Sequence, residues 1–556
     1  MNLAHYPRYS TFVNISNKGP FPFAISDGVD INDPRVYTWK FHPNIMAWGY
    51  WDYDYTGSLR SVSKIDYDNH KVYFAKPQKA GKNAKLVFYN ILEELRYPGD
   101  FYIDNSTMIL YFYPFGKINS KTEIILSNHS NAIIRARGIT DIVIKDISIG
   151  FTPRTALYFD WCNSVVIENC EISNIGNVGI YILGDNNTIR NCKIHHTMRQ
   201  AIVVDSAHDE YTLKYSNCKV INNEVYWYCN MSRNGFTPAF RIEGVGITIS
   251  HNYIHHGAGH AIFFSGNNIM MEYNEISDIF ESPFPTSAFY AGMNYVTRNN
   301  TIRYNYIDDL VPNNEIHQGI YMDDCESGVN ISHNILVNAG RSIWLGGGRD
   351  YHARNNIIVN ATFALWVDAR AWAEPQTFHK FLRPRFYTIR DNPKVKGNLP
   401  PYITSYPNLS VIDQYYKNNT VEFPLIPPSA FVFDNCFIYP KNAALFKNQE
   451  YVNGSYTFGE VFINNYINAT EKDFADFKNG DYSIKKGSRL NKLGMDPVDM
   501  SEMGLLNKGS KKNVVVPVIV TLVVLIVIGV IIVLIYLKIK KDKEAERSIV
   551  EKKIVV

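Results

Sequence analysis

The chain has 556 residues, 46% hydrophobic and 14% aromatic, with a formal net charge of +3. That is ample apolar material for a large core, and acids and bases mixed along the chain leave no basic stripe for nucleic acid. The seven cysteines (Cys162, Cys170, Cys192, Cys218, Cys229, Cys325 and Cys436) lack zinc-ligand spacing, and their odd number argues against a complete disulfide framework.

Residues 1–125 are aromatic-rich and irregular. Tyr50-Trp-Asp-Tyr-Asp-Tyr55 and Leu110-Tyr-Phe-Tyr-Pro114 read as short strands and turns, a β-rich elaboration beside the main body of the chain. The start has no basic n-region and no apolar h-region, so either no secretory signal is used or the true N-terminus lies upstream. About a dozen Asn-x-Ser/Thr sites, among them Asn14, Asn128, Asn330 and Asn468, lean toward secretion.

Residues 126–372 carry a repeat. The pattern Ile-x-Asn-(Asn/Cys)-x-Ile recurs, as in Ile167-Glu-Asn-Cys-Glu-Ile172 and Ile302-Arg-Tyr-Asn-Tyr-Ile307. Its fourth position falls at Cys170, Cys192, Asn223, Asn252, Asn274, Asn305, Asn334 and Asn356, in steps of 22, 31, 29, 22, 31, 29 and 22 residues. A floor near 22 with tolerated insertions is a solenoid signature. Short Ile/Val/Phe/Tyr runs alternating with polar residues and broken by Asn, Gly and Asp read as strands, so the expected fold is all-β: a three-sided parallel β-helix. A buried Asn at each bend can bond its own and the neighbouring coil, so this column is expected to form a structural ladder, with Cys filling the slot as a small hydrophobe.

A second strand aligns in every coil: Gly179-Ile-Tyr-Ile-Leu183, Ala201-Ile-Val-Val-Asp205, Ala239-Phe-Arg-Ile-Glu243, Ala261-Ile-Phe-Phe-Ser265, Ala288-Phe-Tyr-Ala-Gly292, Gly319-Ile-Tyr-Met-Asp323, Ser342-Ile-Trp-Leu-Gly346 and Ala364-Leu-Trp-Val-Asp368. Alternation points the third and fifth residues outward. The third position then reads Tyr181, Val203, Arg241, Phe263, Tyr290, Tyr321, Trp344, Trp366, and the fifth includes Asp205, Glu243, Asp323 and Asp368. An exposed aromatic stripe beside a column of acids is what a glycan groove needs, because flat rings cover sugar C–H faces while carboxylates reach the hydroxyls. The competing expectation is that these rings pack beneath long loops.

Coils stack about 4.8 Å apart, which puts the Asp323 and Asp368 backbones roughly 9–10 Å apart, near the roughly 6.5–9.5 Å that separates the acid and base of inverting glycosidases. Asp324 and Asp350 at adjoining turns are alternative partners. Gly346-Gly-Gly-Arg-Asp350 permits close approach, and Arg349 can hold an acid ionised or bind a hydroxyl. As a phosphate loop it is weak, since no helical pattern follows it. His195-His196 and His255-His256, with His260 and His317 nearby, read as turn residues rather than a metal site, and nothing indicates a cofactor.

Residues 373–425, rich in Pro, Asn and Tyr, read as a long irregular loop, and residues 426–507 as terminal coils and a cap. Val514–Leu537 is an uncharged apolar run of 24 residues, long enough to span a bilayer as a transmembrane helix. Lys538, Lys540, Lys541, Lys543 and Arg547 follow it, a heavier basic flank than Lys508, Lys511 and Lys512 before it. The positive-inside rule then puts the large domain outside the cell and the tail, residues 538–556, in the cytosol, as a single-pass cell-surface protein.

Gly319-Ile-Tyr-Met-Asp-Asp-Cys-Glu-Ser-Gly328, Gly346-Gly-Gly-Arg-Asp350 and Trp366-Val-Asp-Ala-Arg370 resemble the core motifs of secreted right-handed parallel β-helix proteins of the kind in glycoside hydrolase family 141. Asn90-Ile-Leu-Glu-Glu-Leu-Arg-Tyr-Pro-Gly-Asp-Phe-Tyr-Ile-Asp104 and Asn479-Gly-Asp-Tyr-Ser-Ile484 extend the resemblance over most of residues 1–505. It implies a right-handed coil, a glycan substrate and O-glycosyl hydrolysis. Asp323, Asp324, Asp368 and Asp350 would supply the acids; Tyr290, Tyr321, Trp344, Trp366, Arg349, Arg370 and Glu243 would hold the sugar. By this resemblance Met1 falls inside the family's domain, so a signal and first coils are expected to be missing from the chain. A second departure is Pro285-Thr-Ser-Ala-Phe-Tyr-Ala-Gly-Met-Asn294, where the family commonly carries Asp-x-Gly-Ala-Ile-Tyr-x-Gly-Arg-Asp. If the lost Asp is catalytic there, the scaffold is expected to bind glycan without turnover, as a receptor or adhesin. A polysaccharide lyase is a third reading, without a distinct base or calcium signature to support it.

Overall fold

The computed structural model describes residues 2–506 except 9–11, 15–27, 52–56, 77–83, 207–211, 231–236, 280–285, 309, 311–316, 369–398, 411–415, 418–419, 422–430, 435, 440–443, 449–459, 467–468 and 485. Three stacked sheets dominate. The first face has eleven strands, from Ile134–Arg137 to Ala444–Asn448. The second has eleven, from Val143–Lys145 to Glu460–Ile463, and the third has ten, from Ser148–Thr152 to Phe437–Tyr439. Each turn of chain adds one strand to each face; Ile180–Leu183, Thr188–Arg190 and Lys193–Thr197 make one coil. Successive coils pair in parallel, as in Ile189↔Val220 and Val220↔Ile249.

The interior is a continuous apolar column. Ile167, Ile189, Val220, Ile249, Met271, Ile302 and Ile331 line it from the second face, each at most 1% exposed. Each buried aliphatic side chain stabilises by roughly 1.5–3 kcal/mol. The bend between second and third faces is made by one left-handed residue per coil, including Asn191 (φ 55), Asn222 (φ 57), His251 (φ 55) and Tyr273 (φ 55). The buried Asn ladder lies just beyond it. Asn223 Nδ2 donates to Asn252 Oδ1 at 3.0 Å, Asn252 to Asn274 at 2.9 Å, Asn274 to Asn305 at 2.9 Å, Asn305 to Asn334 at 2.9 Å and Asn334 to Asn356 at 3.0 Å. Cys192 takes the same slot, its N–H donating to Asn223 Oδ1 at 2.9 Å and its Sγ–H to backbone carbonyls. All seven cysteines are buried and none forms a disulfide among the described residues, and burial pushes the Cys192 thiol up to about 12.

Residues near the N-terminus build a separate seven-stranded sheet around Met46–Tyr50, Gly57–Asp66 and Lys85–Tyr89, with Trp39, Trp51 and Phe88 in its core. At the other end, Phe474, Leu490, Met495 and Val498 pack on the outward Ile335, Val337, Ile357 and Val359 of the third face. Polar latches run on along the bend: His333 Nε2 lies 3.1 Å from Asp496 Oδ2, Gly504 N donates to Tyr273 O at 2.7 Å, and Leu506 N to Asn222 Oδ1 at 2.7 Å. Within 373–425 the short helix Tyr402–Ser405 is described. Among the described residues no helix is long and apolar enough to cross a membrane; the run Val514–Leu537 and the tail 538–556 lie outside the described residues.

Candidate active site

The first face carries the expected columns in register. The third-position column runs Tyr181↔Val203↔Arg241↔Phe263↔Tyr290↔Tyr321↔Trp344↔Trp366 without a break. In the fifth-position column Asp205 pairs with Glu243, Gly292 with Asp323, and Gly346 with Asp368. Met322 pairs with Leu345, so Asp323 lies across from Gly346 and two strands from Asp368 in one column. At about 4.8 Å per strand their backbones are roughly 9–10 Å apart.

Asp323 ends the strand His317–Asp323, and among the described residues Tyr290, Tyr321 and the Asp324 backbone donate to its carboxylate. Tyr290 Oη–H donates to Oδ2 at 3.0 Å, Tyr321 Oη–H to Oδ1 at 2.7 Å, and the Asp324 backbone N–H to Oδ1 at 3.0 Å. An ionised carboxylate is acceptor-only, so this cradle suits the anion. Asp324 turns the chain in the left-handed region (φ 43) and is 9% exposed. Asp368 is placed by its backbone, and Arg370 lies outside the described residues.

The aromatic stripe is not exposed as expected. Tyr290, Tyr321, Trp344 and Trp366 are only 7, 6, 8 and 5% accessible and form one cluster. The rings pack against one another: Tyr321 stacks on Trp344 at 3.9 Å, and the Arg341 guanidinium lies 4.3 Å from the Trp344 ring centre and 4.0 Å from that of Trp366. Arg341 belongs to a third column that strand alternation does not reveal, the residue before each aligned run: His260, Ser287, Gln318 and Arg341. Ser287 pairs with Gln318, and Gln318 with Arg341. His260 stacks on Tyr290 at 4.3 Å and accepts at Nδ1 from the Ser287 N–H at 3.0 Å. Burial pushes His260 down to about 3 and His317 to about 4, so both rings are neutral at physiological pH. His317 Nδ1 lies 2.8 Å from Thr286 Oγ1.

Glu243 is tied to its own strand, 2.6 Å from the Arg241 guanidinium, and does not adjoin Asp323. Asp350 also leaves the groove. It sits in the left-handed region (φ 59) just before Tyr351–Arg354 on the second face, and its Oδ2 is shared by Arg298 at 2.9 Å and Arg349 at 3.1 Å. It therefore balances two guanidinium groups that are each under 10% exposed. The Arg349 backbone N–H donates to Ser327 Oγ at 3.2 Å, so Arg349 belongs to this corner as well.

The same corner holds an acid that nothing in the repeat pattern marks. Glu326 is 1% exposed and accepts from Thr297 Oγ1 at 2.6 Å, and its carbonyl accepts from the Tyr351 hydroxyl. Burial pushes its carboxyl from 4.5 up to about 8, the Thr297 bond opposing only in part. The folded chain then holds this proton where the unfolded chain has released it. This contribution to stability is fully present below about pH 4.5 and is lost as pH rises through about 8. Glu326→Gln is expected to flatten urea-unfolding stability across that window. The variant should be the more stable chain at pH 8 and above, by up to roughly 5 kcal/mol at 1.36 kcal/mol per unit.

The paired histidines serve the third face. His195, Tyr226 and His255 align in register, with Tyr226 stacked on His195 at 4.8 Å and on His255 at 5.0 Å. Among the described residues no group of three or more His, Cys, Asp or Glu is placed to hold a metal ion.

Residues 101–236 and 225–362 match the family described as right handed beta helix region. No curated protein matches the chain. A solved structure titled "Glycoside hydrolase" aligns with 66% of this chain and 76% of its own length, at 10% identity and a TM-score of 0.42. With three parallel sheets wound in register, the chain folds as a parallel β-helix, and residues 101–362 of it are similar to the right-handed β-helix family.

Proposed function

We propose that this protein is a carbohydrate-active protein of the cell surface, a glycoside hydrolase whose acids stand on the first face of the solenoid. The observation that carries the reading is the setting of Asp323, in register with Asp368 two strands away and cradled by Tyr290, Tyr321 and the Asp324 N–H. In this reading Asp323, held as the anion, takes a proton from water, and that water attacks the anomeric carbon. Asp368 donates a proton to the departing glycosidic oxygen. The separation of roughly 9–10 Å between backbones leaves room for that water, as inverting hydrolysis requires. Asp324 is the alternative to Asp323. Asp350 does not serve as a partner, because two arginines hold its Oδ2 at another corner. Val514–Leu537 would anchor the chain in a membrane with the solenoid outside, the basic flank after it keeping the tail in the cytosol. Release of reducing sugar over a panel of plant, algal and host glycans tests this reading. Turnover by the wild-type chain that Asp323→Asn abolishes supports it.

A second reading, glycan binding without turnover, is favoured by one specific feature. In the coil before Asp323 the aligned residue is Gly292, followed by Met293 and Asn294, so that coil brings no acid to the column. Retained binding on a glycan array with no turnover on any substrate would select it.

A further inference from the structure

We propose that the corner between the first and second faces holds a separate binding pocket for a neutral saccharide unit. A cavity of about 560 Å³ opens there beneath residues 405–408, lined by Tyr215, Arg298, Asn299, Asn330, Asp350 and Tyr406. That size lies within the roughly 300–1,000 Å³ of small-ligand clefts.

The pocket is built on fixed elements. Tyr406 Oη accepts from Asn268 Nδ2 at 2.8 Å, and Tyr402 Oη from Asn267 Nδ2 at 3.3 Å, which pins the overlying segment to the solenoid. Tyr215 lies against Gly246, where a Cβ would overlap its ring, and the residue is 50% exposed. Arg298, 4% exposed, donates through Nη1 to the carbonyls of Tyr295 at 2.7 Å and Thr297 at 2.6 Å and pairs through Nη2 with Asp350. Only one oxygen of Asp350 is used in this way. Oδ1 takes no bond among the described residues and is not enclosed. Asn299 gives its Nδ2 to Asn268 at 2.8 Å, which leaves its Oδ1 as an acceptor, and Asn330 at the exposed rim brings a whole carboxamide.

The chemistry selects the ligand class. Hydroxyl groups can donate to Asp350 Oδ1 and Asn299 Oδ1 and accept from Asn330 Nδ2, while a pyranose C–H face lies on Tyr215. An anionic sugar would meet the open carboxylate oxygen of Asp350, while Arg298, whose Nε takes no hydrogen-bond partner among the described residues, is enclosed and its charge is already faced by that carboxylate. The pocket stands apart from Asp323, so it neither requires turnover nor supplies it.

The test is saturation-transfer NMR on the full chain with methyl β-D-xylopyranoside, methyl α-L-fucopyranoside and methyl β-D-galactopyranoside, with D-glucuronate as the charged comparator. Asn330-Ile-Ser332 and Asn408-Leu-Ser410 are acceptor sequons at the rim, and a glycan on Asn330 would take up its Nδ2, so the pocket described is that of the chain unmodified there and the protein is made in bacteria, without N-glycans. The expected result is binding of at least one neutral glycoside that survives Asp323→Asn. Tyr215→Ala and Asn330→Ala should each weaken it by roughly tenfold or more, with melting temperatures unchanged. Three results would overturn the proposal: no binding, binding of glucuronate alone, or binding that Asp323→Asn removes and the Tyr215 and Asn330 variants leave intact. Only the last of these leaves the hydrolase reading supported, so the two can fail separately.

Discussion

Asp368→Asn and Asp323→Asn are each expected to lower kcat by roughly 10²–10⁴ on whichever glycan the chain hydrolyses, with KM changed far less. The shared column is the reason. If one carboxyl donates to the leaving oxygen while the other activates water, both act in one transition state, and losing either removes most of the gain. The double variant should then be little worse than the poorer single one, because residues acting as a unit are non-additive. Tyr290→Phe with Tyr321→Phe removes two hydroxyl donors to Asp323 and should shift the acidic limb of the kcat/KM profile to higher pH. Steady-state kinetics on the four variants checks this. Asp368→Asn with wild-type kcat would remove Asp368 from the mechanism.

Asn305→Leu is expected to cost about 4–6 kcal/mol of stability, near the upper end for one substitution. Asn305 Nδ2 donates to Met271 O at 3.0 Å, Arg303 O at 3.0 Å and Asn334 Oδ1 at 2.9 Å, and its Oδ1 accepts from Asn274 N and Nδ2 at 2.9 Å. Leucine has similar volume but leaves these partners unpaired inside the solenoid, at about 1–3 kcal/mol for each stranded group. In a repeat fold, where stability sums over neighbouring coils, the loss should also split the unfolding transition. Urea unfolding followed by circular dichroism reads both effects. A loss under about 1 kcal/mol would mean that the ladder is ornamental.

The solenoid is legible in the sequence because its repeat is written in buried residues. Steps of 22, 29 and 31 residues between ladder positions count coils directly, and the aligned runs from Gly179 to Asp368 reproduce the strand register. The site is legible only where strict alternation holds. Alternation fails at the start of each run. A Cβ on Gly319 would meet the inward Leu336, and Ile320, the next residue, is also buried, so two successive residues face in and the one before them emerges on the outer face. That is why the repeat pattern does not disclose His260, Gln318 and Arg341. Asp350 reads as a neighbour of Asp323 because it follows Gly346 by four residues, whereas its left-handed backbone lies at the turn onto another face. The packing of Trp344 and Trp366 includes ring stacking and Arg341 from the neighbouring columns, which no single strand records.

If Asp323 and Asp368, two strands apart, act as a base and acid pair across a water molecule, hydrolysis must invert the anomeric centre. Early-time proton NMR of the product released from a substrate of known anomeric configuration decides whether it does. The first product to appear should have the inverted configuration and then mutarotate. A first product with the substrate's own configuration would contradict the paired mechanism, since retention requires carboxyl groups only about 5–5.5 Å apart.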